Sequence, residues 1–163
     1  MCIICTGNYY GKTEIECWHC PLITEIPVIP SLQRLSFYNC PLLTEIPVIP
    51  GLQELQCRNC PLLREISIIP GLRYLWCQNC PLLREIPLIT GLQKLWCVNC
   101  PLLTEIPVIP GIQKLQCKNC PWTDKKKYRG LVSAQIRIKY TMKRRQKCLP
   151  YFSGCVNCFL EKY

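Results

Sequence analysis

The stretch GLQKLWCVNCPLLTEIPVIP, Gly91 to Pro110, is written again and again along this chain. Twenty residues earlier it reads GLRYLWCQNCPLLREIPLIT, and twenty residues later it restarts as GIQKLQCKNC. In register the chain holds five full copies, beginning at Gly11, Ser31, Gly51, Gly71 and Gly91, and a half copy from Gly111 to Cys120. A fixed period of this size means one small unit stacked on itself, because a unit so short buries its apolar face only against its neighbours. The expected fold is a repeat solenoid over residues 11–121. Residues 1–10 precede the register and would cap its open end through Cys2, Ile3, Ile4 and Cys5, and residues 122–163 form a separate tail.

Each copy splits into two halves of different character. In LQKLWC the apolar residues Leu92, Leu95 and Cys97 take the inward positions, and the run is bounded by Gly91 and by Asn99-Cys100-Pro101. Such a segment reads as a strand of about four to six residues. Six of these would stack in parallel about 4.8 Å apart, forming a concave sheet about 25 Å long. The other half, PLLTEIPVIP, repeats proline at Pro101, Pro107 and Pro110. Each proline removes a backbone donor and holds its predecessor extended, so a helix is excluded. The convex side is therefore expected to be extended and polyproline-like, with Ile106 and Ile109 pointing inward. The first copy departs from the pattern, with Lys12 where the others carry Leu or Ile and His19 where they carry Asn, as befits a terminal unit.

Sixteen cysteines in 163 residues would ordinarily suggest a disulfide scaffold or a metal protein. Five copies carry C-x-x-C, at Cys17/Cys20, Cys57/Cys60, Cys77/Cys80, Cys97/Cys100 and Cys117/Cys120. The second copy has Phe37 in place of the first cysteine. A ligand position does not accept Phe, whereas a core position does, since an unligated Cys behaves as a small hydrophobe. The reading favoured is a reduced, metal-free core. Two groups stay open as minor zinc candidates by spacing: Cys2, Cys5, Cys17 and Cys20 at one end, and Cys148, Cys155 and Cys158 at the other.

The net charge of +10 is a property of the tail. Through Pro121 nine Lys and Arg face eight Glu, a net of +1, while from Trp122 onward eleven basic residues face Asp124 and Glu161, a net of +9. The tail is expected to form a basic helix over about 125–147, with Asp124 as its N-cap. Its clusters Lys125, Lys126, Lys127, Arg137, Lys143, Arg144 and Arg145 are candidates for contact with nucleic acid or an anionic membrane surface. MCIICTGNYYGK at the start has no secretory pattern, and no apolar run reaches transmembrane length, so a cytoplasmic location is expected.

The residues Leu92, Leu95, Cys97, Cys100, Leu103, Ile106 and Pro107, with their equivalents in each copy, resemble the leucine-rich repeat consensus. The run LxxLxCxxCxxLxxIPxIP is similar to short repeats of bacterial effectors and to Cys-containing repeats of plant resistance proteins. The reiterated CPLLTEIP looks closest to leucine-rich repeat proteins encoded by giant DNA viruses of amoebae. The resemblance covers residues 11–121. It implies protein binding on the concave face and, for a viral protein, a place in the host cytoplasm.

Comparing the copies with one another shows where recognition would lie. The inward framework barely changes, while the outward strand positions change freely. Tyr74, Trp76, Trp96 and Val98 fall on adjacent strands and would form an exposed, stacked aromatic patch flanked by Arg58, Arg73 and Lys94. Trp18 and Tyr38 belong to the same face. Trp, Tyr and Arg dominate interface hot spots, so these residues are the protein-binding candidates. No nucleophile–base pair, phosphate-cradling glycine loop or His-bearing metal motif occurs in the sequence. The expectation is a non-enzymatic protein-binding module without cofactor. The alternative is an anionic-surface binder acting through the tail.

Overall fold

A computed structural model describes residues 3–104 and 106–121. The repeats form a parallel β-solenoid of about five turns, one turn per 20-residue copy, with almost no helix. The element order is α1 (Ile3–Thr6), β1 (Glu14–Trp18), β2 (Arg34–Tyr38), β3 (Glu45–Ile46), β4 (Glu54–Arg58), β5 (Glu65–Ile66), β6 (Tyr74–Gln78), β7 (Lys94–Val98) and β8 (Lys114–Lys118). Six strands make one parallel sheet in the order β1-β2-β4-β6-β7-β8. The register is the repeat itself, with Leu55 beside Leu75, Leu75 beside Leu95, and Cys77 beside Cys97.

Alternation fixes which side of the strand is core. Leu75 and Cys77 of β6 are fully buried while Tyr74, Trp76 and Gln78 face outward. The chain then turns back over the core, and Cys80, Leu83, Ile86, Ile89 and Leu92 complete the buried set of that turn. At the N-terminal end Lys12 is exposed where later turns bury Leu or Ile, and the part-buried Ile4 and Tyr9 pack against the core. The expected tail helix over 125–147 lies outside the described residues.

The turn that ends each strand depends on asparagine. Asn39, Asn59, Asn79, Asn99 and Asn119 have φ between 53° and 56°, and His19 takes the same place with φ 51°. Asparagine tolerates this left-handed conformation better than most side chains. Its side chain does more here. The amide Nδ2 of Asn59 donates to Oδ1 of Asn39 at 2.7 Å, Asn79 to Asn59 at 2.6 Å, and Asn99 to Asn79 at 2.7 Å. Asn119 continues the ladder onto Asn99 at 2.7 Å. The backbone N–H of His19, Asn39, Asn59, Asn79 and Asn99 also reaches the next turn, as from Asn79 to the Val98 carbonyl at 2.9 Å.

The returning half is extended, with one feature that the polyproline reading missed. β3 and β5 pair in parallel, Glu45 beside Glu65 and Ile46 beside Ile66. Proline stands after this isoleucine at Pro27, Pro47, Pro87 and Pro107, but the third copy has Ser67. The Ser67 N–H donates to the Ile46 carbonyl at 2.9 Å, a bond that proline cannot make. It adds to the bond from the Arg64 N–H to the Thr44 carbonyl at 2.8 Å, and the two together make a short ladder.

Candidate functional site

The outward face of the six-stranded sheet gathers the varied positions into columns. Trp76 stands beside Trp96 and Gln56, Tyr74 beside Lys94 and Glu54, and Gln78 beside Val98 and Arg58. Tyr74 meets Trp96 edge to face at 5.5 Å between centroids and Trp76 at 6.5 Å. Trp76 and Trp96 approach to 4.7 Å with an interplanar angle of 78°. The two indoles are thus edge to face and half-buried, not stacked and exposed as the residue pattern suggested. Edge-to-face contact places the positive rim of one ring against the negative face of the other.

Two cations sit over this cluster. The Arg58 guanidinium carbon lies 3.5 Å from the Trp76 ring centroid, and the Lys114 Nζ lies 4.8 Å from that of Trp96. Arg58 also reaches the Tyr38 ring, at 5.0 Å. Such contacts are each worth about 0.5–2 kcal/mol, more as water is excluded. Tyr38 in turn stacks on Trp18, with centroids 4.0 Å apart and planes 5° from parallel. Trp18, which is 54% exposed, donates its indole N–H to Glu16 Oε2 at 3.1 Å. Gln56 Oε1 accepts from both Tyr38 Oη (3.2 Å) and Arg58 Nη2 (3.1 Å), fixing the guanidinium between the two aromatic groups.

The result is one band from Trp18 through Tyr38, Arg58, Trp76 and Tyr74 to Trp96 and Lys114. The residue pattern pointed to the Tyr74–Trp96 cluster and missed the linkage through Arg58. The signal was present, since Trp18, Tyr38 and Arg58 occupy the same place in three successive copies. Val98 is half-buried beside Gln78, and Lys94 is exposed beside Tyr74. Arg73 is exposed and precedes β6, where its backbone N–H bonds the Gln53 carbonyl at 2.8 Å. No ring contact joins Arg73 to the cluster among the described residues.

Three buried donors of the band lack a partner among the described residues: Arg58 Nε, Trp76 Nε1 and Trp96 Nε1. Burial pushes the Tyr74 hydroxyl up to about 12, against the opposing pull of Arg58. At neutral pH the cluster is therefore a set of aromatic surfaces and N–H or O–H donors with cations over them. Towards the N-terminus the face changes sign, with Arg34 paired to Glu14 and Glu16 bonded to Trp18. The tail candidates Lys125, Lys126, Lys127, Arg137, Lys143, Arg144 and Arg145 lie outside the described residues.

The cysteines do not form part of this face. Of the twelve described cysteines all but Cys5 are buried. Cys80 donates its thiol to the Cys57 carbonyl at 3.5 Å and Cys120 to that of Cys97 at 3.6 Å, so these thiols tie one turn to the next. Burial holds the Cys57 and Cys77 thiols well above the ordinary range. For Cys97 the hydrogen bond with Cys117 contributes first and burial second. Phe37 fills the corresponding core place completely, at 0% exposure. Among the described residues no group of three or more His, Cys, Asp or Glu is arranged to hold a metal ion. Nor is any described helix long and apolar enough to cross a membrane.

The arrangement defines a parallel β-solenoid that carries an aromatic and cationic band on its sheet face. No protein-family model, curated protein or solved structure matches the chain.

Proposed function

We propose that this chain is a leucine-rich repeat protein that binds another protein through the concave face of its sheet and performs no catalysis. The observation that carries this reading is the division between constant and varied positions. Inward residues hardly change from turn to turn, whereas the outward positions of β1, β2, β4, β6, β7 and β8 differ in nearly every turn and include the aromatic–cation band. Trp, Tyr and Arg are the residues that carry most binding energy at protein interfaces. The resemblance to repeats encoded by giant viruses supports a partner in the host cytoplasm.

The test is the double substitution Trp76→Ala and Trp96→Ala, with capture of partners from host cytosol. Each truncation is expected to cost about 2 kcal/mol, roughly thirtyfold in affinity, with an unchanged circular dichroism spectrum. Undiminished capture by a folded double variant would refute the reading.

The concentration of +9 in residues 122–163 favours a second, weaker activity, binding of polyanions through the tail. Counterion release makes such binding independent of sequence and steeply dependent on salt. Absence of binding to duplex DNA, RNA and anionic vesicles at low salt would remove it.

A further inference from the structure

The sheet face is not uniform in charge. β1 carries Glu14 and Glu16, a net of −2, while β7 and β8 carry Lys94, Lys114 and Lys118 with no acidic residue, a net of +3. Between them Arg34 and Arg58 are set against Glu54, a net of +1. Lys94 stands directly beside Lys114 in the register. Like charges placed opposite in this way repel. No ion pair relieves these two among the described residues, where the one ion pair is Arg34–Glu14.

Adjoining these lysines are the three buried donors that lack a partner among the described residues, Arg58 Nε, Trp76 Nε1 and Trp96 Nε1. Trp76 stands beside Trp96 in the register, and Trp96 shares its strand with Lys94 and carries Lys114 over its ring. Buried N–H groups without an acceptor are costly, and three in one cluster call for an explanation. The charge and the donors ask for the same thing, a ligand that is negative and rich in oxygen acceptors.

A peptide supplies both kinds of acceptor at once. Its carboxylates answer the ammonium groups, and its neutral carbonyls suit the indole N–H groups. A nucleobase would need a ring face, and those are held by Arg58 over Trp76 at 3.5 Å and Lys114 over Trp96 at 4.8 Å. A long polyanion or a membrane surface laid along the sheet would meet Glu14 and Glu16 at the other end. The fitting occupant is short. β6 to β8 span roughly 10 Å at about 4.8 Å per strand, which a few residues of extended chain cover at ~3.3 Å each.

We infer that this end of the sheet face takes a short acidic segment of a partner protein, an inference that rests on the protein-binding reading above. Carboxylates of the segment lie against Lys94, Lys114 and Lys118, and its carbonyls accept from Trp76 Nε1 and Trp96 Nε1. Because these donors are buried, the incoming carboxylates draw the Arg58 and Lys114 side chains outward and so open the indole N–H groups. Complementary charge then governs which segments dock and how fast they arrive.

Nitrogen-15 NMR of the full-length chain, freed of nucleic acid, tests this through the indole N–H signals, assigned with the variants Trp76→Phe and Trp96→Phe. The probes are an end-blocked peptide of Glu, Asp, Gly and Leu, and its counterpart with Gln and Asn in place of the acids. The acidic peptide should shift the Trp76 and Trp96 signals and leave that of Trp18 in place, while the neutral one binds about tenfold more weakly. The variant Lys94→Gln with Lys114→Gln, altered only on the outward face, should also bind the acidic peptide about tenfold more weakly, through loss of two surface charge contacts. Equal affinity for the two peptides, unmoved Trp76 and Trp96 signals, undiminished binding in the lysine variant, or a stronger response of these indoles to duplex DNA or phosphatidylserine vesicles would each overturn the inference. The underlying reading fails separately. Partner capture lost with Trp76→Ala and Trp96→Ala but kept by the lysine variant would leave protein binding standing and remove the acidic segment.

Discussion

Asn79 is the position where the contribution of the turn ladder separates most cleanly into parts. Its Nδ2 donates to Asn59 Oδ1 at 2.6 Å, and its Oδ1 accepts from Asn99 Nδ2 at 2.7 Å. Its backbone sits at φ 53°. Replacement by Ala removes both side-chain bonds, worth about 0.5 kcal/mol each at the lower end because the column borders solvent. It also places a Cβ without compensating polar contacts in the left-handed region, at about 1 kcal/mol. The expected loss is about 2 kcal/mol. Asn79→Gly removes the same two bonds but relieves the conformational term, so it should lose about 1 kcal/mol. Urea unfolding followed by circular dichroism reads the difference, with the Ala midpoint lowered by about 1 M at unchanged slope and the Gly midpoint by about half as much. Equal losses for Ala and Gly would show that backbone conformation is not what Asn supplies. A loss below about 0.5 kcal/mol for Ala would show that the ladder contributes little.

Two further predictions concern the core. The raised thiols of Cys57, Cys77 and Cys97 remain protonated in the fold while the unfolded chain releases those protons above about pH 8.5. The native state then binds more protons than the unfolded one, so this contribution is fully present below pH 8.5 and declines as pH rises, by up to about 1.4 kcal/mol per pH unit for each thiol. Urea midpoints measured at pH 7 and pH 9.5 under reducing conditions should fall accordingly; a flat profile would contradict protonated buried thiols, and metal analysis of the same samples should find substoichiometric zinc. Phe37→Ala empties the largest fully buried side chain and should cost about 3–5 kcal/mol by the same unfolding measurement, a loss under 1 kcal/mol showing that the neighbouring turns collapse into the gap.

Much of the fold was legible because the repeat offers the same answer six times. Strand positions, register and the inward set follow from one period and one alternation, and Phe37 in a cysteine column identified that column as core. What stayed hidden depended on single atoms. Ser67 differs from proline by an N–H, and that donor adds a bond to the Ile46 carbonyl in the β3–β5 pair. The asparagine ladder was visible as a recurrent residue but not as a chain of amide bonds, because its formation needs the left-handed backbone that sets consecutive side chains in line. Phe37 has a second effect of this kind. Cys40, Cys80, Cys100 and Cys120 each donate to a carbonyl 23 residues earlier, whereas Cys60, whose equivalent acceptor would be Phe37, donates to the Arg58 carbonyl at 3.6 Å and shares a thiol hydrogen bond with Cys40.

The candidate site was legible as columns and not as contacts. Placing Trp76 beside Trp96 needs only the 20-residue register, but whether two indoles stack or meet edge to face depends on what stands in the next turns. Arg58 occupies one face of Trp76 at 3.5 Å, and Lys114 stands over Trp96 at 4.8 Å. With cations drawn to the ring faces, the remaining favourable approach between the indoles is through an edge, which is the geometry found at 78°. A flat base or ring arriving on this face would have to displace Arg58 or Lys114 first. A carboxylate or carbonyl need only draw the cation towards itself, and the unpaired N–H groups of Trp76, Trp96 and Arg58 then become available to it. On the proposed protein-binding reading, the band would select among partners by hydrogen-bond acceptors before shape.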